Sequence, residues 1–436
     1  MNVSSTFRAL RYKNYRLFFV GQSISLIGTW MTRVAMAWLV YRLTGSVWLL
    51  GVVEFAGQMA TFLPAPLAGV LIDRWNRHRI LLITQIIAMI QSVILAGLAL
   101  TGLITVWQVI GMSIFQGLVN AFDIPVRQAF VVELVGEKKE EFGNAVALNA
   151  SMFNGARLIG PSIAGMVIAV GGEGFCFLID GISYLAVIAT LVMMQVAPRK
   201  VSPSQKRMGQ EMLQGVVYAW EIIPIRALLL FVAFVSFVGM PYVVLLPAFA
   251  KEILHGGPHT LGFLMGSTGL GALAGSIYLA SRKSVRGLVR ISALSAGLFG
   301  VSLIGCALAR TLWVSVGWLF AAGFGMIVQI AACNTVLQTI VEDKMRGRVM
   351  SLFMMAFMGM APWGSLAAAS LAHYHGVPET LLIGGVACVL GAFIFASQLP
   401  RLRTAIRPIY ARMGIIPEVA SGIQTAAALT TPTEEG

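Results

Sequence analysis

The sequence predicts an all-α, polytopic membrane protein of about twelve spans arranged as two six-helix bundles. Three observations carry that prediction. Of the 436 residues, 58% are hydrophobic and only 11% are charged, against about 25% charged in an ordinary soluble domain. Apolar runs of about 20 residues, each long enough to cross the hydrocarbon core as a helix, recur from one end to the other. The second half of the chain also echoes the first at a fixed distance.

The apolar runs cover 17–43, 47–72, 80–101, 105–131, 142–170 and 174–196 in the first half. In the second half they cover 226–250, 260–281, 288–309, 312–338, 347–373 and 379–399. Between the halves lies the longest polar connection, opening with the basic stretch APRKVSPSQKRMGQ. The following EMLQGVVYAWEII places Met212, Val216, Trp220 and Ile223 on one helical face. That pattern predicts a helix lying flat on the inner membrane surface. The expected organisation is an N-terminal bundle over 1–196, a linker over 197–225, a C-terminal bundle over 226–400 and a basic, partly disordered tail over 401–436.

Orientation follows from charge. The net charge of +13 would suggest a nucleic-acid partner in a soluble protein. In a chain of spans it reads instead as the bias of Lys and Arg toward cytoplasmic loops. With the N-terminus inside, 26 of the 31 Lys and Arg fall in inner segments, and only Arg42, Lys251 and Arg310 fall outside. Arg33 and Arg157 lie within spans. Both termini are therefore expected in the cytoplasm, with membrane lipid as the surroundings and no nucleic acid bound. The N-terminus MNVSSTFRALRYKNYR is too polar for a cleavable signal peptide.

The internal echo is weak but regular. LAGVLIDRW around Gly69 corresponds to LAGSIYLAS around Gly275, and LVGEKKE at Val135 to IVEDKMR at Val341. Both pairs are 206 positions apart. With both halves starting inside, this is a parallel repeat about an axis along the membrane normal.

Catalytic and metal chemistry leave no signature. Cys176, Cys306, Cys333 and Cys388 stand singly in apolar runs and read as packing residues. P-loop, H-E-x-x-H and G-x-S-x-G motifs are lacking. His373 and His375 flank Tyr374 at an outer turn, two donors that fall short of a metal site. Neither enzymatic activity nor a cofactor is expected.

One charged turn stands out. GVLIDRWNRHR, Gly69 to Arg79, places Asp73, Arg74, Arg77, His78 and Arg79 between the second and third spans. Gly69, Asp73, Arg74 and Arg77 match the spacing of the loop signature of the major facilitator superfamily, which the stretch resembles. Asn76 stands where the signature has Gly, and His78 where Lys or Arg is common. Asn tolerates a left-handed turn nearly as well as Gly. The resemblance implies a conformational latch: Gly69 lets the second span approach the eleventh, and Asp73 sits at the N-terminus of the eleventh, where the dipole favours an anion. Arg77 would pair with an acid on the fourth span, with Asp123 of FDIPVRQ, four residues before Arg127, at suitable depth. The latch would join the halves on the cytoplasmic side in an outward-facing state.

GARLIGPSIAG on the fifth span carries Gly155, Gly160, Pro161 and Gly165 and resembles the Gly-Pro motif of exporters in the same superfamily. Small residues at that spacing permit close helix contact in lipid. FRALRYKNYRLFFVGQSISLIGTWM, DIPVRQAFVVELV and NTVLQTIVEDKMRGRVMSLF are similar to the bacterial branch that contains the enterobactin exporter. The resemblance implies a monomeric inner-membrane transporter exporting a small organic molecule, a siderophore or drug-like compound, driven by protons. A lipid or other solute importer on the same fold is the alternative.

Polar residues within spans are the substrate-cavity candidates. Gln22, Ser25 and Thr29 recur at helical spacing on the first span; Gln329, Asn334 and Gln338 lie on the tenth. Glu54 and Arg33 flank the turn at Gly45, nine positions after and twelve before it. Their depths then differ by about 4–5 Å, which predicts a buried ion pair in which Glu54 exchanges the coupling proton. A static pair is the other reading. Asp180 with Arg157 is a poorer match, with depths about 10 Å apart. Pro241 and Pro247 predict a break in the seventh span.

Overall fold

The computed structural model describes residues 8–135, 139–195, 208–282 and 284–412. Within its helices, no side chain is described at Pro66, Val70, Asp73, Arg74, 139–143, 146–147, 208–212 or 411–412. Every regular element among the described residues is helical.

Among the described residues, twelve helices are long and apolar enough to cross a membrane. They are α1 (Lys13–Thr44), α2 (Val47–Phe62, resumed as Ala65–Arg74), α3 (Arg77–Leu100), α4 (Val106–Val135), α5 (Lys139–Gly171) and α6 (Glu173–Val192). The second set is α7 (Ile223–Ile253), α8 (Pro258–Ala280), α9 (Leu288–Leu308), α10 (Leu312–Ile340), α11 (Asp343–His375) and α12 (Val377–Ser397). An even number of spans returns both termini to one face, here called the terminal side. The span boundaries recur at the same 206-position offset. Moved by 206 positions, α4 would cover 312–341, against Leu312–Ile340 for α10, and α3 would cover 283–306, against Leu288–Leu308 for α9.

Local chemistry sets the boundaries. Gly45 closes α1 at φ 61°, a left-handed conformation that glycine adopts without steric cost. Ser46 then caps α2, its Oγ accepting the Leu49 N–H at 3.3 Å. Asn76 does not take the left-handed turn its replacement of Gly suggested. It has φ −70° and acts as an N-cap for α3, its Oδ1 accepting from the Arg79 N–H at 3.1 Å. That is the usual use of Asn before a helix.

Three spans are interrupted. Pro64 divides α2. Gly239–Pro241 breaks α7, as expected, whereas Pro247 lies inside the short helix Tyr242–Ala248 that follows. Five residues of α7 (Phe249–Ile253) and five of α11 (Met355–Gly359) form π-helical turns, which recur at functional positions in helices.

Between the halves a linker helix (Met208–Glu221) exposes Leu213, Val216, Val217 and Trp220 on one side. Its other side rests on the terminal end of α11, with Gly215 against Arg348 and Gln214 Oε1 accepting from the Arg348 guanidinium at 2.8 Å. A tail helix (Leu399–Arg412) buries Leu402, Ile406 and Tyr410 and exposes Arg401, Arg403 and Arg407. The rest of the tail, expected to be disordered, lies outside the described residues.

Lipid offers apolar surface no gain from helix association, so close backbone approach through small residues holds such bundles together. A β-carbon on Gly271 of α8 would stand 1.9 Å from the Phe320 carbonyl of α10, and one on Gly364 of α11 2.0 Å from that of Phe237 on α7. The four cysteines are buried and free, in keeping with a packing role.

Candidate functional site

The two bundles meet along two seams, α2 with α11 and α5 with α8, and both seams are tight on the side away from the termini. A β-carbon on Gly51 of α2 would stand 2.3 Å from that of Ala369 on α11. One on Gly262 of α8 would stand 2.7 Å from the Pro161 carbonyl of α5. Phe55 and Trp363 meet edge to face at 5.0 Å across the first seam. Tyr41 of α1 donates its hydroxyl to Glu252 of α7, and Lys251 Nζ lies 5.7 Å from the centre of the Tyr41 ring. These contacts close the far side.

Toward the terminal side the seams part. On α2 the succession of α11 contacts runs from Gly51 through Phe55 to Phe62, which faces Gly359. Beyond it Gly69 has no atom within 4 Å of where a β-carbon would stand. Gly155 on α5 is equally open. The space between the bundles is thus sealed on the far side and open on the terminal side. The expected approach of Gly69 to α11 is not made here, because this conformation has that end of the seam apart. Asp73 and Arg74, the other expected latch residues, have side chains outside the described set.

Arg77 does not pair with Asp123. Its guanidinium donates to Glu133 Oε1 at 2.7 Å. Arg77 opens α3, so its partner lies near the terminal end of α4. Asp123 lies ten residues, about 15 Å, further along α4. At that level Asp123 Oδ1 accepts from Thr84 at 3.0 Å and Gln85 at 2.7 Å, while Oδ2 faces Arg127 at 3.3 Å. Arg127 also reaches Gln22 Oε1 at 3.4 Å. Gln22, expected in the cavity, is buried in this cluster. Thr29 is exposed, its hydroxyl returning to the Ser25 carbonyl at 3.1 Å.

Arg33 and Glu54 do not form the predicted ion pair either. Glu54 Oε1 accepts from Gln58 at 2.6 Å, one turn along its own helix. Gly51 and Phe55 of α2 face α11, and Gly57 and Ala60 face α4. Glu54, Gln58 and Thr61 share the stripe between and so line the open gap. Leu63 and Leu67, both 70% exposed, lie on the opposite, lipid-facing side. Arg33 stands instead over Trp30, its guanidinium carbon 5.0 Å from the ring centre. Depth along a helix does not fix the direction in which a side chain leaves it.

Asp180 of α6 is 1% exposed. Its Oδ2 accepts from Thr32 of α1 at 2.9 Å and Ser92 of α3 at 3.0 Å, and its Oδ1 has no hydrogen-bond partner. Gly28 makes the room, since a β-carbon there would stand 2.7 Å from Oδ1. The side chain thus joins three helices of the first bundle.

In the second bundle Gln329 is fully buried and donates to Cys333 Sγ at 3.7 Å, so it does not line the cavity as expected. Gln338 is exposed and bonds to Asn334 Oδ1. In the Gly-Pro motif, Gly160 packs on Trp30 and the Ile27 carbonyl of α1, and Gly165 on Pro258, His259 and Gly262 of α8. A β-carbon on Gly155 would meet no atom within 4 Å. Glu133, Trp30 and Tyr242 were not singled out in the sequence; a glutamate one turn from a span end was the only available signal for the first.

Twelve spans in two six-helix bundles that meet along two seams have the architecture of a membrane transporter. The chain belongs to the family described as transmembrane secretion effector, within the major facilitator superfamily, with residues 4–414 matching. It is a transporter, not an enzyme. Relatives include a staphyloferrin A transporter of Staphylococcus aureus, 25% identical over 89% of this chain and 97% of that one. The multidrug efflux pump Tap of Mycolicibacterium fortuitum is 25% identical over 86% and 93%, and an enterobactin exporter of Escherichia coli 24% over 78% and 80%. Among solved structures, a bacterial homologue of ferroportin in an inward-facing state superposes with a TM-score of 0.68, at 17% identity over 89% of this chain and 98% of that one. The twelve spans and this family place it as a multi-pass bacterial inner-membrane protein.

Proposed function

We propose that the chain is a proton-driven exporter that takes a small organic molecule, siderophore- or drug-like, from the cytoplasm, acting as a monomer with both termini inside. The observation that carries this reading is the gap between the bundles, closed on the far side and open on the terminal side, with Glu54 and Gln58 on the α2 stripe between its two neighbours. The excess of Lys and Arg on the terminal side supports a cytoplasmic opening. The relatives named for siderophore transport and for efflux support outward movement.

In the opposite state the terminal ends of α2 and α11 close. Gly69 is the position left free for that approach, and Asp73, Arg74 and Arg77 form the latch that then engages. Glu54 is the coupling carboxyl. It is half-buried on the gap wall and has no cationic partner among the described residues, so it can take a proton from either side as the gap alternates. A proton moving down 100 mV supplies about 2.3 kcal/mol.

The test is transport in vesicles of defined orientation from cells lacking their own pumps. Accumulation of a fluorescent efflux substrate in inside-out vesicles, abolished by a protonophore, is the expected result. Accumulation only in right-side-out vesicles would make the chain an importer.

A further inference from the structure

Two arginines inside the membrane share one indole ring. The guanidinium carbon of Arg33 lies 5.0 Å, and that of Arg157 5.7 Å, from the centre of the Trp30 ring. Both distances are within cation–π reach. Phe153 braces the same ring edge-on at 5.7 Å. Among the described residues, neither arginine has a carboxylate within 4 Å. The ion pairs elsewhere show the contrast: Arg42 is held by Glu173, Arg77 by Glu133 and Arg127 by Asp123.

Two like charges set this close between spans cost free energy unless something neutralises them. The ring faces of one tryptophan offset only part of that cost. The chain supplies no acid here, since Glu54 is turned to Gln58 and Asp180 to Thr32 and Ser92. A third polar group points to the same place. Tyr242 of α7 is 2% exposed and lies beside Arg157, yet its hydroxyl makes no hydrogen bond of regular geometry. Tyr242 opens the short helix that follows the break at Pro241.

We propose that Arg33, Trp30, Arg157 and Tyr242 form the subsite for an anionic substrate, one bearing carboxylates. Planar guanidiniums match a carboxylate bidentately, and two of them suit a molecule with at least two such groups. The tyrosine hydroxyl donates to the same oxygens from the opposite bundle. Arg33 and Trp30 belong to α1 and Arg157 to α5, whereas Tyr242 belongs to α7. A ligand held here therefore touches both halves, which is what links occupancy to the movement of one half against the other. This assignment rests on the transporter reading above and narrows it to acidic cargo.

Citrate is a suitable probe, with chloride at matched ionic strength as the control. Thermal unfolding of the purified full-length chain should shift upward with citrate and not with chloride. Arg33→Gln and Arg157→Gln should each weaken the apparent affinity by about tenfold or more, and Tyr242→Phe by less. Arg157→Lys, which keeps the charge but loses the planar fork, should fall between wild type and Arg157→Gln. Arg33 is exposed, so Arg33→Gln should fold even if Arg157→Gln does not. Equal shifts in wild type and Arg33→Gln, or no citrate shift at all, would overturn the subsite. Transport separates the two readings. Arginine-dependent citrate binding without transport in either vesicle orientation would leave the subsite and remove the exporter. Normal export by Arg33→Gln of every substrate tested, acidic ones included, would do the reverse.

Discussion

Tyr41 of α1 bonds through its hydroxyl to Glu252 of α7, and the bond joins the two bundles at the sealed face. The seal there is otherwise made of backbone approach and aromatic contact, so this polar link is available for a selective cut. Tyr41→Phe removes it while leaving the ring and its packing. A hydrogen bond to a carboxylate is worth about 1.5–3 kcal/mol net, and Glu252 is exposed, which puts this one at the low end. The population of the far-side-open state should therefore rise roughly 10-fold. Spin-label distances across α1 and α7 on that face would report it, and an unchanged distribution would show that the bond does not weigh on the equilibrium.

Arg77 and Glu133 should behave as a pair, and Arg77 and Asp123 should not. In double-mutant cycles of thermal stability, Arg77→Ala with Glu133→Ala should show a coupling of about 0.5–1 kcal/mol. Arg77→Ala with Asp123→Ala should be additive within about 0.5 kcal/mol. A strong coupling in the second cycle would return Asp123 to the terminal-side cluster.

Asp180 should act as a pin rather than a proton carrier. It is enclosed by α1, α3 and α6 and reaches no part of the gap. Asp180→Asn keeps an acceptor for Thr32 and Ser92 and should retain concentrative transport. Asp180→Leu strands both hydroxyls and should cost about 1–3 kcal/mol of stability, read as a lowered melting temperature. If Asp180→Asn folds normally and loses proton dependence, the coupling role belongs to Asp180.

Glu54→Gln should fold normally, bind substrate and exchange it between equal concentrations, but fail to concentrate it against a gradient. Substrate exchange and protonophore-sensitive uptake in the same vesicles separate these activities. Uphill transport equal to wild type would remove Glu54 from the coupling path.

The spans, their number and their doubling were legible because bilayer thickness imposes a length and a composition on every one of them. The packing role of Gly160 and Gly165 was legible for a related reason: lipid leaves helices little but small residues with which to associate closely. Side-chain pairing was not. The Arg33–Glu54 and Arg77–Asp123 expectations each estimated depth from position along a helix. Pairing also depends on the azimuth of each residue, and that is set by neighbours distant in sequence. Gln329 shows the same limit. A glutamine in a span can face a cavity or a neighbouring cysteine, and the local sequence is the same in either case. Asn76 was misjudged for a different reason. Asn serves both left-handed turns and helix N-caps, and the start of α3 one residue later decided between them.

The interruptions of α2 and α11 give the open end of the transporter a simple mechanics. Pro64 divides α2 just past Phe62, and the π-helical turn of α11 ends at Gly359, the residue Phe62 faces. Both weak points thus sit level with the last contact of the seam. Beyond them Ala65–Arg74 forms a lever about 15 Å long. Swinging that lever by about 20° carries its tip about 5 Å, close to one helical turn. Flexure at these two pre-weakened joints would shut the mouth first, giving a state closed on both faces, before the glycine-to-backbone contacts above the fulcrum part to open the far side.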